Sequence, residues 1–102
     1  MATLYVSEHT AVGGRLAGAY AQALIEPPLA EQTVAIGGTS AQSAAFQART
    51  SLVRLHSDVT CHVAFGADPT ATTSLKRMVA GQTEAFAIPK GEGFKVAVIQ
   101  GS

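Results

Sequence analysis

The 102-residue chain is long enough for one domain with its own core, and close to the size at which stability is marginal without partners or cross-links. Hydrophobic residues make up 47% of it and charged residues only 14%, against roughly 25% charged in an average soluble protein. Seven scattered basic residues cancel seven acidic ones, one cysteine excludes an internal disulfide, and no apolar run approaches the roughly 20 residues that cross a bilayer, so neither nucleic acid nor a membrane is an expected partner.

Ala, Thr, Ser and Gln replace much of the missing charge. They cost little to desolvate against a partner, whereas a buried Lys or Glu needs a compensating ion, so the composition suits lasting contact with other subunits. Met1 to Ser7 has neither a basic leader region nor a long apolar stretch, and the expectation is a cytosolic product without an export signal.

Thr3-Leu4-Tyr5-Val6-Ser7 is short, β-branched and aromatic, and predicts a first strand. Residues 10–18, with Gly13, Gly14 and Gly18, predict a Gly-rich loop or arm. Gly13-Gly14-Arg15-Leu16-Ala17-Gly18 lacks the Gly-Lys-Ser/Thr ending of a phosphate-binding loop and the spacing of a dinucleotide fingerprint, which leaves a flexible connector as the better reading. Tyr20 to Ile25 predicts a second strand stopped by Glu26-Pro27-Pro28, because paired prolines remove ladder donors. Thr33-Val34-Ala35-Ile36 predicts a strand closed by Gly37-Gly38. Ser40 to Gln47 is Ala-rich, but Gly, Thr and Ser precede it and no helical stripe continues past Phe46, which favours a loop entering a short strand.

The clearest pattern lies between Leu52 and Phe65. Val53, Leu55, Val59, Cys61, Val63 and Phe65 hold odd positions, and Arg54, His56, Asp58, Thr60 and His62 hold even ones, so one face is core and the other polar. A hairpin with His56-Ser57-Asp58 as its loop pairs Leu55 with Val59 and Val53 with Cys61. Shorter or longer turns pair His56 with Val59 or Leu55 with Thr60 and mix the faces.

Gly66-Ala67-Asp68-Pro69 is a turn signal, continued by a polar loop from Thr70 to Ser74. Leu75 to Val79 is ambiguous between a helical turn and an edge strand, and Gly81 ends it. Glu84 to Ile88 alternates large and small side chains, Pro89-Lys90-Gly91-Glu92-Gly93 turns, and Phe94 to Ile99 predicts a last strand paired with it in a hairpin. The sum is one all-β domain over residues 1–102: a compact β-sandwich or jelly-roll-like barrel of about seven to eight short antiparallel strands.

The candidates for chemistry are few. His56, Asp58 and His62, with His9 elsewhere, resemble a metal-ligand set, because alternate strand positions share a face. In the favoured hairpin, however, His62 lies opposite Leu52 while His56 and Asp58 sit in the turn, so the set does not converge. Cys61 belongs to the core face, no Gly-x-Ser-x-Gly elbow occurs, and Glu84 and Glu92 flank one strand of a chain too small for a deep cleft. With no Trp and only Tyr5 and Tyr20, a sugar-stacking platform is poorly supplied. The expectation is no enzyme, no metal and no cofactor.

Three stretches carry a resemblance. They are Ala30 to Gly38 followed by Ser40 to Phe46; Val53 to Asp58 leading into His62 to Thr72; and Met78 to Glu84 with Pro89 and Val96 to Ile99. In these the chain resembles small accessory virion proteins of tailed bacteriophages. The resemblance implies a β-sandwich or jelly-roll module that decorates or cements the capsid, with the major capsid protein or other virion subunits as partners, homo-oligomeric contacts and a place in the virion after synthesis in the host cytoplasm. A tail or fibre module that binds host glycans is the alternative. For such a role the expected contact residues are Arg15 on the Gly-rich arm, Arg49, and Asp68, Thr70 and Thr72 on the loop that follows Phe65.

Overall fold

A computed structural model describes residues 2–10, 15–16, 19–20 and 28–101. Its strands are β1 Thr3–His9, β2 Arg15–Leu16, β3 Ala19–Tyr20, β4 Ala30–Ala35, β5 Ala41–Gln42, β6 Leu52–Ser57, β7 Cys61–Gly66, β8 Lys76–Met78, β9 Thr83–Ala87 and β10 Lys95–Gln100, and no helix occurs among the described residues. Eight of these form two four-stranded antiparallel sheets, in the orders β4-β1-β6-β9 (sheet I) and β5-β10-β7-β8 (sheet II); β2 and β3 pair only with each other. The predicted all-β class is the observed one.

The sequence alternation sets which side of each strand faces the core. Leu4 and Val6 of β1, Val34 of β4, and Val53 and Leu55 of β6 point inward from sheet I; Cys61 and Val63 of β7, Met78 of β8, and Val96 and Val98 of β10 point inward from sheet II. With Ile36 and Phe46 they form one buried cluster, so neither sheet has a core of its own and the architecture is sandwich-like. Phe65 and Phe86 close its flank at 5.1 Å between ring centroids, with Lys76 Nζ 5.2 Å from the Phe86 centroid.

Two pairings differ from the sequence expectation. β6 and β7 do not form a hairpin: β6 lies between β1 and β9, and β7 between β10 and β8. Asp58-Val59-Thr60 carries the chain from one sheet to the other, so Val53 and Leu55 face Cys61 and Val63 across the core instead of beside them. Ser57 shapes this corner from inside. Its fully buried hydroxyl donates to the Val59 carbonyl and accepts from the Cys61 thiol at 3.3 Å. β9 and β10 are likewise in different sheets, joined through Pro89–Gly93, where Gly91 (φ 71°) and Gly93 (φ 66°) take up left-handed backbone.

The remaining expectations fare more simply. The first strand runs to His9, two residues past the predicted Ser7. Leu75 to Val79 resolves as the edge strand β8, and in Ser40 to Gln47 the short strand β5 comes first, followed by an extended segment in which the amides of Ser43 and Phe46 donate to the carbonyls of Val96 and Phe94. Residues 11–14 and 17–18 of the predicted arm, and residues 21–25 of the strand predicted from Tyr20 to Ile25, lie outside the described residues, Tyr20 itself being in β3. The start of β1 and the end of β10 meet at neighbouring residues: Ile36 N donates to Ala2 O at 3.1 Å, and Gln100 N to Gly37 O at 2.9 Å.

Candidate interaction faces

The outward sides of the two sheets differ. On sheet I, antiparallel register aligns Thr33, Tyr5, His56 and Thr83 in one row across β4, β1, β6 and β9. Glu31, Ser7, Arg54 and Ala85 form the next. Tyr5 is 45% exposed, and Glu31, Thr33, Ala35, Arg54, Thr83, Ala85 and Ala87 are exposed with it. Tyr5 leans on the His56 ring at 6.1 Å between centroids, and His56 Nδ1 shares a 2.7 Å hydrogen bond with Thr83 Oγ1, so the first row is fixed by contacts within the face. A shallow groove of about 400 Å³ runs between β1 and β4, lined by Tyr5, Val6, Ser7, Glu31, Gln32 and Thr33. Apart from Glu31 and Arg54 the exposed residues of this face are neutral and mostly small.

Sheet II is covered over much of its outward side, with Gln42 of β5 and Arg77 of β8 exposed. Residues 68–72 form an extended strap in which Pro69 and Ala71 are buried while Asp68, Thr70 and Thr72 are exposed. Gln42 of β5 pins it by donating from Nε2 to Asp68 Oδ1 (2.8 Å) and to the Pro69 carbonyl (2.7 Å), and Ser40 Oγ accepts from Ala71 N at 2.8 Å. Ala97, the ladder partner of Gln42, is fully buried although it points away from the core. At the other end His62 is 7% exposed, with Nδ1 3.0 Å from the Leu75 carbonyl and its ring against Gly101. The predicted contact residues Asp68, Thr70 and Thr72 therefore share one exposed line on a strap held from beneath, with Asp68 also engaged by Gln42.

Arg49 is exposed on the turn between Gln47 and Thr50, beside a second groove of about 350 Å³ lined by Leu29, Gln47, Ala48 and Arg49. This turn is held by a residue the sequence reading passed over. Glu8, only 1% exposed, accepts at Oε1 from Gln47 N and from Thr50 Oγ1, both at 2.8 Å, and at Oε2 from Gln32 Nε2 at 3.3 Å. Gln32 in turn bonds the backbone of Ala44 in both directions, accepting from its N–H at 2.9 Å and donating to its carbonyl at 3.3 Å, much as a neighbouring strand would. Together Glu8 and Gln32 close the side of the fold between β4 and the segment after β5. The available signal was phase: Glu8 stands in register with Leu4 and Val6 on the inward side of β1.

Arg15 is described in its backbone alone, paired with Tyr20 in the β2–β3 ladder. His56 and His62 lie on the outward sides of different sheets, and Asp58 is exposed on the crossover between them. Among the described residues no three His, Cys, Asp or Glu side chains are placed to hold a metal ion together, and no helix is long and apolar enough to cross a membrane. Cys61 is fully buried; burial pushes its thiol pKa above the ordinary value, and the hydrogen bond to Ser57 opposes this more weakly. Comparison with protein-family models, with curated proteins and with solved structures returns no match.

Proposed function

We propose that this chain is a non-enzymatic virion protein of a tailed bacteriophage that decorates or cements the capsid shell through oligomeric contacts. The observation that carries the reading is the strand order. Read in sequence with the β2–β3 ladder set aside, β4-β1-β6-β9 and β5-β10-β7-β8 reproduce the two sheets of an eight-stranded jelly roll whose last strand has been moved to the front, with β1 in the place of that strand. Jelly rolls recur in viral capsid proteins, and that association supports the role. The neutral face of sheet I and the strap hydroxyls of Thr70 and Thr72 add to this support, since both can be desolvated against protein at low cost. In this role Asp68, Thr70, Thr72 and Arg49 contact the major capsid protein, and Arg15 extends the contact from the arm.

Jelly rolls also occur in lectins, and Tyr5 beside the groove with Glu31 and Gln32 favours a second reading, a tail or fibre module that binds host-surface glycans. Co-sedimentation with shells assembled from the major capsid protein of the same genome separates the two. Saturable binding that weakens in a Thr70→Asp, Thr72→Asp variant supports decoration. Absence of shell binding together with glycan-array binding that is lost in Tyr5→Ala overturns it in favour of the lectin role.

A further inference from the structure

We infer that the outward face of sheet I binds the same face of a second copy of this chain, in a two-fold dimer whose axis runs along β1. The charges of the face are the ground for choosing a second copy over another partner. Ser7 sits on β1 with Glu31 beside it on β4 and Arg54 beside it on β6, one strand away on either side. Both charged residues are exposed, and neither forms an ion pair among the described residues. A two-fold axis along β1 exchanges the two flanks. It therefore lays β4 of one copy over β6 of the other, so that each Glu31 faces the partner's Arg54 and the contact occurs twice, as an isologous interface requires.

The dimensions agree. Stacked sheets lie about 10 Å apart, a gap that a glutamate and an arginine reaching from opposite sides span together. Ser7, lying on the axis between the two pairs, is small enough to leave them room. The same operation sets Tyr5 against its own symmetry mate and places Thr33 opposite His56, so the aromatic row meets itself and no charge faces a like charge. Sheet II has no comparable face, because the strap and the His62–Leu75 contact occupy its outer side. The overlap is three strands wide, at about 4.8 Å per strand, which is small for a protein interface, and the dimer is expected to be weak and concentration-dependent in solution.

The pairing is tested on the purified chain without any shell or glycan, so its outcome is separate from that of the virion role. Sedimentation equilibrium over a wide concentration series is expected to show a monomer–dimer equilibrium that weakens with added salt. Glu31→Arg and Arg54→Glu, each alone, set like charges face to face and are expected to weaken the dimer at least tenfold. Both residues are exposed, so circular dichroism should show the fold unchanged. The decisive sample is an equimolar mixture of the two single variants: in the mixed dimer each of the two contacts again joins an acid to a base, one in the native sense and one reversed, and dimer reappears. The double variant, with both charges reversed, should dimerise like the parent chain. A parent chain that stays monomeric, single variants that associate as the parent does, or a mixture that remains monomeric each overturns the inference.

Discussion

Replacing Glu8 by alanine removes the acceptor on which the Gln47–Thr50 turn is built. In the native chain Oε1 takes hydrogen bonds from Gln47 N and Thr50 Oγ1 at 2.8 Å, and Thr50 has no exposed surface. Hydrogen bonds to an ionised group contribute about 1.5–3 kcal/mol each, and a buried donor left without an acceptor costs about 1–3 kcal/mol. Gln47 is exposed and its amide can turn to water, so the Thr50 hydroxyl carries most of the penalty. Loss of the Gln32 contact adds less, because at 3.3 Å it is long. Allowing for these offsets, Glu8→Ala is expected to lose about 3–4 kcal/mol. A domain of this size has only about 5–15 kcal/mol in total. Glu8→Gln keeps one carbonyl acceptor for the turn and should lose about half as much. Thr50→Val should lose about 1–2 kcal/mol in the parent chain and much less in the Glu8→Ala background, since the two residues share one bond. Urea unfolding followed by circular dichroism measures this, with an unchanged slope showing that the effect is on stability. Glu8→Ala within about 0.5 kcal/mol of the parent, or additive effects of the two substitutions, would refute the account of Glu8 as the residue that closes this side of the fold.

Other substitutions test the strap, the corner and the covered face of sheet II. Gln42→Ala removes both bonds that pin the strap, and should speed proteolysis between Ala67 and Ser74 several-fold while leaving global stability within about 1–1.5 kcal/mol of the parent; equal cleavage rates would show that Pro69 and Ala71 hold it unaided. A β-carbon on Gly101 would lie 2.8 Å from His62 Cδ2, and the buried ring is tied to Leu75, so Gly101→Ala should cost about 1–2 kcal/mol and His62→Ala should relieve the clash in the double variant. Because burial raises the folded-state pKa of Cys61, the stability it contributes is complete below the ordinary thiol pKa of 9.0 and is lost as pH rises through the raised value. The parent chain should therefore lose stability above pH 9.0 more steeply than Cys61→Ala; parallel slopes in urea titrations across that range would contradict this.

What could be read from the sequence was the direction of side chains, and what could not was the identity of strand neighbours. Alternation in Thr3–Ser7 and Leu52–Ser57 sorts core from surface correctly, because burial of one side of a strand needs only the period of the strand itself, whereas in Cys61–Phe65 it gives the side-chain direction but not the burial, since the outward His62 is covered at Leu75 and Gly101. The same alternation fits two arrangements of β6 and β7. A hairpin turning at His56-Ser57-Asp58 and a chain that crosses between sheets both keep odd positions inward, so the apolar pattern does not distinguish a partner beside the strand from one across the core. Contacts far along the chain decide: β6 pairs with β1 and β9, and β7 with β10 and β8, leaving neither an open edge for the other. Glu8 and His9 were lost from β1 for a different reason. Polar residues at a strand end read as a loop, and only the Gln47–Thr50 turn, some forty residues away, makes the burial of Glu8 tolerable. The candidate contact residues Asp68, Thr70 and Thr72 were legible as a turn-rich polar stretch, but the alternation that turns Pro69 and Ala71 inward depends on Gln42 and Ser40, which composition does not reveal.

The place of β1 in the strand order leads to a last prediction. If β1 stands where the final strand of a jelly roll belongs, the natural connection to it comes from the end of β10, and the chain can be re-cut without changing the fold. The geometry permits the join, because Ala2 and Gln100 bond to the neighbouring residues Ile36 and Gly37. A short glycine-rich linker from Gly101 to Ala2, with new ends opened in the exposed Pro89–Gly93 connection, gives a chain that starts with β10 and continues through β1 to β9. Opening there breaks no ladder, since β9 and β10 are in different sheets. The permuted chain should keep the strand content of the parent and lose no more than about 2 kcal/mol, the cost of altered loop closure at two exposed sites. Hydrogen exchange would then show the β1 amides protected by β4 and β6 as before. A permuted chain that is unfolded, or folded with β1 unprotected, would mean that β1 cannot follow β10 as the final strand of a jelly roll does, and the jelly-roll reading of the strand order would fail with it.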